Sequence, residues 1–245
     1  REAEQSLVEV GRDALLASEL PRLISGWAGN AFHPLIRLAY GYHFQIDGEI
    51  AAGLAYLKWC GPNEKIKLLA DAAAADATPG DLRRAVESLS PCAERLKPGA
   101  RFDDRLATVL EHPAFAGAAR TYPDALTTIS GMALRIFAQT HDFFALHLVT
   151  GSHAYRLLYP FAGELRDEIF SLGILAGYAA IGAPTFQFEH EPIARQGVTA
   201  DSGALAAELD SDDDHDIKLT YSALCQAQHF EDDAYLAAAS GYLAR

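Results

Sequence analysis

Cysteine is scarce in this chain. Its 245 residues hold three, Cys60, Cys92 and Cys225, widely spaced and without a CxxC pair. Neither a disulfide framework nor a zinc ribbon is indicated, and a reducing cytoplasmic setting is the simplest expectation. Positive charge is also short: 20 Lys and Arg stand against 33 Asp and Glu, a formal charge of −13. That balance argues against a nucleic-acid partner, which calls for a basic stripe, and against docking on an anionic membrane. No stretch reads as a signal peptide or a membrane span. The nearest, 169–184, is apolar but short and follows Arg166, Asp167 and Glu168, so it is expected to be a buried helix. Runs of β-branched residues are rare, and no alternating strand pattern is flanked by hairpin turns, which argues against a sheet.

Familiar catalytic templates are missing as well. There is no GxGxxG after a strand, no Walker loop, no HExxH and no GxSxG elbow. No ExxH pair is present, so the carboxylate-rich di-iron bundle is not matched. Cys225 and His229 share a helical spacing, but no oxyanion-hole signature accompanies them.

What the chain does have is Ala and Leu at helical spacing almost throughout. This predicts an all-α fold, a compact single domain of about ten to twelve helices. The expected spans are 7–20, 21–28, 31–45, 48–59, 81–89, 103–111, 113–120, 123–140, 142–159, 162–182, 213–230 and 232–244. The longest irregular stretches fall at 90–102 and 183–202. The second contains Phe186, Phe188 and His190 and is expected to fold over something. No internal repeat and no interdomain linker is evident.

Three places bring chemistry-bearing residues into helices. In Asp212-Asp213-Asp214-His215-Asp216-Ile217-Lys218, His215 and Lys218 are three apart and share one helix face. The acidic run also suits a plain helix start, since carboxylates favour a helix N-terminus; the two readings are about even. His33 lies in Phe32-His33-Pro34-Leu35-Ile36-Arg37 and His147 in Phe143-Phe144-Ala145-Leu146-His147-Leu148. An imidazole among apolar residues needs a partner. A lone histidine in such a setting is more often a satisfied core residue than a ligand, less so for His147. His153 lies six positions beyond His147, about 240° around a regular helix, so the two cannot face one ligand.

These three segments, with Tyr40-Gly41 and Thr150-Gly151-Ser152-His153, resemble the questin oxidase-like family in order and spacing over most of the chain. The resemblance implies an all-helical oxygenase that oxidatively cleaves a ring of an anthraquinone-type substrate, by Baeyer–Villiger-like or dioxygenase chemistry. It implies non-haem Fe(II), with dioxygen as co-substrate, held by four histidines and a carboxylated lysine. Carried over by motif, His33, His147 and His215 are three of those histidines and Lys218 is the lysine. A reductant such as NADPH is compatible with that chemistry, although no motif indicates one. The partner expected is a small aromatic or quinone-like molecule, against apolar helices carrying Phe32, Tyr40, Phe143, Phe144, Phe186 and Phe188. Asp214 or Asp216 is expected to orient a histidine through its second ring nitrogen. Two departures stand out. The family's Asn-His motif has no counterpart before His33, which implies an N-terminally incomplete domain. Arg37 also stands where His-Pro-x-x-His is usual. A non-catalytic helical binder of hydrophobic molecules that has lost its metal site is the alternative. A two-metal hydrolase with a carbamylated lysine is a third, weaker one.

Overall fold

The computed structural model describes residues 2–73, 78–188 and 211–244. Among these the regular structure is helical, with no strand, as composition predicts. The helices are α1 (Glu2–Val10), α2 (Arg12–Leu23), α3 (His33–His43), α4 (Asp47–Cys60), α5 (Glu64–Asp71), α6 (Pro79–Glu87), α7 (Ser90–Ala93), α8 (Phe102–Glu111), α9 (Pro113–Ala116), α10 (Ala125–Thr140), α11 (Phe143–Leu158), α12 (Arg166–Ala180), α13 (Asp214–Phe230) and α14 (Ala234–Leu243). None is long and apolar enough to cross a membrane.

The core gathers around α12, whose residues from Ile169 to Ala180 are all buried. A helix apolar on every side must be enclosed by others. Its small residues set how closely neighbours approach. A Cβ on Gly173 would lie 2.2 Å from the Trp27 indole nitrogen, and one on Gly177 2.7 Å from the Phe32 ring. Trp27 donates its indole N–H to the Ile169 carbonyl at 3.1 Å, so the largest core side chain leaves no polar atom unpaired. On the other side α11 packs against α3, α10, α12 and α13. The hairpin expected around Asp47-Gly48 forms. Gly53 permits it, since a Cβ there would lie 2.5 Å from the Leu38 backbone.

Several boundaries differ from expectation. The span 7–20 is broken at Gly11 (φ 81°), and Pro21 lies inside α2, in its last turn, where it removes one helical N–H donor. Helix α5 was not foreseen. Its signal was Asn63, whose side chain accepts the Ile66 N–H at 3.0 Å, ahead of buried Ile66, Leu69 and Ala70. The stretch read as irregular contains short α7. Part of 183–202, with His190, lies outside the described residues. The most consequential difference concerns 31–45. The helix starts at His33, and Asn30, Ala31 and Phe32 before it adopt left-handed backbone (φ 48°, 52° and 68°). Asn tolerates that region, whereas Ala and Phe are strained there by about 1–3 kcal/mol each. Burial opposes that cost: Phe32 is fully enclosed, seated against Gly151, Gly177 and the Trp27 ring at 4.9 Å.

Candidate metal centre

Three helix starts meet at one place. Asp142 caps α11, accepting the N–H groups of Phe144 (2.8 Å) and Ala145 (3.0 Å). One turn on, His147 points its Nδ1 at the Phe143 carbonyl, 2.9 Å away. At the start of α3 the left-handed turn places the Asn30 carbonyl 2.6 Å from His33 Nδ1. At the start of α13, Asp213 accepts the His215 backbone N–H at 2.8 Å, and His215 Nδ1 lies 3.0 Å from both Asp213 and Asp214 carboxylates. Tyr40 ties two of these elements together, its hydroxyl donating to the Lys218 carbonyl at 3.2 Å and lying 3.0 Å from Ser222 Oγ.

The three imidazoles converge. A ring nitrogen from each of His33, His147 and His215 lies within 4.8 Å of the others. The Nε2 atoms of His33 and His147 are 3.3 Å apart. A carbonyl only accepts, so Nδ1 of both rings carries the proton and each Nε2 presents a lone pair. Two lone pairs facing each other at this distance repel unless a cation lies between them. Adjacent ligand atoms about 2.1 Å from one metal are about 3 Å apart, close to what is found. The residues therefore fit a nitrogen-bound transition metal. Burial pushes His147 down to about 4, and the neighbouring His33, His215 and Lys218 act in the same direction. The ring is thus neutral near pH 7, the form that binds metal.

Phe143 covers this cluster, its ring 4.7 Å from His215 and 5.0 Å from His147. On another side lies a cavity of about 340 Å³ reached by His33 and Lys218 and walled by Ile36, Tyr40, Phe44 and Tyr56. At its rim Arg37 and Glu49 form a two-bond ion pair, 2.7 and 3.3 Å.

All four residues singled out by sequence lie here. Lys218 forms an ion pair with Asp214, and that bond holds the Asp214 carboxyl below the usual range. The His215 ring is hydrogen-bonded by Asp213, with Asp214 at ion-pair distance, whereas Asp216 accepts from Ser211 at 2.7 Å instead. His153 lies apart, as its helical phase requires. Of the aromatic residues expected to line a cavity, Tyr40 does so here. Phe32 is core. Phe188 borders a different cavity, between Met132 and Tyr235, and Phe186 packs on Tyr178. Sequence reasoning missed Asn30 and the capping role of Asp142. Asn ahead of two residues and a His-Pro start was the available signal, because Asn favours left-handed backbone. Among the described residues no further His, Cys, Asp or Glu joins the trio.

Comparison with known proteins follows the same residues. Searches of curated proteins and of solved structures found no match. A family model described as questin oxidase-like matches residues 4–223, a span that includes the left-handed turn and all three histidines. The chain belongs to the questin oxidase-like family.

Proposed function

We propose that this protein is an oxidoreductase, a non-haem iron oxygenase that uses dioxygen to cleave a ring of a polycyclic aromatic or quinone substrate. The family name supports the oxidase class. The observation that carries the finer reading is the meeting of His33, His147 and His215, with His33 at the wall of an apolar cavity. These three would hold the metal. Lys218, at the same cavity wall, would add an oxygen ligand if its amine were carboxylated. Bound iron would supply a redox-active Lewis acid with positions open to dioxygen.

The chain's own groups do the rest. Phe143 shields one side of the imidazoles, and the Asn30 and Phe143 carbonyls fix the Nδ1–H tautomer of His33 and His147. The Asp213 and Asp214 carboxylates favour Nδ1–H on His215, which leaves its Nε2 lone pair for a metal. Tyr40, Phe44 and Tyr56 offer faces to a flat ring and exclude water. At the rim the Arg37–Glu49 pair is placed to meet polar substituents.

Anaerobic loading with Fe(II), followed by metal analysis and oxygen uptake with a hydroxylated anthraquinone, tests this. The expected result is about one iron per chain and quinone-dependent oxygen consumption, both lost in His215→Ala. Absence of stoichiometric iron, or metal content unchanged by His215→Ala, sinks the reading. The Lys218–Asp214 ion pair favours a second one, a non-catalytic binder of hydrophobic molecules, since it occupies the amine. Quinone binding by fluorescence without oxygen uptake selects that alternative.

A further inference from the structure

We propose that Asp103 is a positioning residue for the metal centre: acting through Asn30, it holds the left-handed turn that aims His33 at His147. The inference rests on the metal-binding reading above. Asp103 stands in the first turn of α8, and its Oδ1 accepts the Asn30 backbone N–H at 2.7 Å. The carbonyl of the same Asn30 faces His33 Nδ1 at 2.6 Å, and its carboxamide donates to Cys60 Sγ at 3.2 Å. A carboxylate most often steadies a ligand histidine by direct contact. Here it does so one residue removed, through backbone.

The turn needs an anchor at each end. Ala31 and Phe32 adopt a backbone region that L-residues avoid, so the segment relaxes unless held. At its far end Phe32 is wedged into the core, where a Cβ on Gly151 would lie 3.0 Å from its ring. Gly151 is one helical turn beyond His147, so the wedge and the His33–His147 contact sit on the same stretch of α11. The near end borders a second cavity, about 330 Å³, lined by Asn30, Trp59, Cys60 and Asp103. The bonds to Asp103 and Cys60 hold the turn there, and the carboxylate bond is the stronger because it is charge-assisted.

The test uses the whole chain, with Co²⁺ as an absorbing metal probe and ¹⁵N-histidine NMR of the metal-free protein. Asp103→Ala is expected to weaken Co²⁺ binding by about tenfold or more. It should also move the His33 nitrogen shifts from a fixed Nδ1–H tautomer toward the average of a free imidazole, leaving those of His147 in place. Asp103→Asn keeps an acceptor oxygen for the Asn30 N–H and is expected to restore both readouts. A merely structural role would lower the melting temperature of Asp103→Ala and leave Co²⁺ affinity and His33 shifts at wild-type values, and that result overturns the proposal. Should Asp103→Ala not fold, Asp103→Glu, which moves the carboxylate by one methylene, is read instead. A shifted His33 tautomer then supports the inference, and an unchanged one overturns it. If the wild type takes up no Co²⁺, the metal reading itself fails, while the His33 shifts still decide whether Asp103 positions that ring.

Discussion

His147 and His153 are both buried on α11, less than two turns apart, yet their surroundings give them opposite capacities. His147 faces a backbone carbonyl with Nδ1, which leaves an Nε2 lone pair aimed at a second imidazole. His153 Nδ1 lies 3.2 Å from the Arg156 guanidinium, a donor, so its proton belongs on Nε2. That Nε2 is buried with no hydrogen-bond partner among the described residues. Arg156 donates onward to Gln226 Oε1 at 2.7 Å, and among the described residues Gln226 Nε2 has no partner either. A half-buried guanidinium repels a metal cation, whereas the carboxylates beside His215 attract one. One residue type on one helix is thus open to a metal in one place and a fixed polar core group in the other. The partner of Nδ1 decides which.

The largest test of this contrast is metal binding. His147→Ala is expected to abolish stoichiometric metal uptake, and His153→Ala to retain it; equal losses in calorimetric titration would erase the distinction. Next is the wedge that sets the His33 turn. Phe32→Ala removes a fully buried ring and is expected to cost about 3–5 kcal/mol in denaturant unfolding. It should weaken metal binding as well, because the turn loses its far anchor. A cost under about 1 kcal/mol would mean that the turn needs no such support.

A smaller effect lies in acid stability. Burial, reinforced by Arg156, pushes His153 down to about 3 from an ordinary 6.5. As pH falls the unfolded chain therefore takes up this proton first. The stabilisation from the neutral ring is complete above about pH 6.5 and is lost between 6.5 and about 3, at up to about 1.4 kcal/mol per pH unit. His153→Gln is accordingly expected to lose less stability than wild type between pH 6.5 and 4.5; identical slopes would show that His153 protonates freely in the folded state. The smallest expected change comes from Asp142→Ala, which removes the cap of the helix carrying both histidines and should cost about 1 kcal/mol. Because the cap steadies Phe143, a selective drop in metal affinity would show that it also serves the ligand end of α11.

Legibility varied with the range of the forces involved. Helices α8, α11 and α13 were readable nearly to the residue, because apolar spacing and, at α13, the acidic run 212–214 are local signals. At 212–218 the capped helix start and the site reading do not exclude each other, since Asp213 caps the helix and holds the His215 ring with the same carboxylate. The family motifs pointed to His33, His147, His215 and Lys218. Nothing local foretold that His33 would meet His147 across 114 residues of chain, or that Arg156 would claim His153.

The start of α3 draws the line most clearly. By itself the sequence determined that this is a helical protein whose helix starts carry histidines and carboxylates, because helix propensity, caps and apolar period act within a few residues. The left-handed Ala31 and Phe32 run against local preference. They persist because Phe32 is buried against Gly151 and Gly177 and Asn30 is bonded to Asp103, contacts that exist only once distant helices have packed. Tertiary structure alone decided that three histidines from three helices would share one point, since that depends on where helix starts come together in space rather than on where residues fall along the chain.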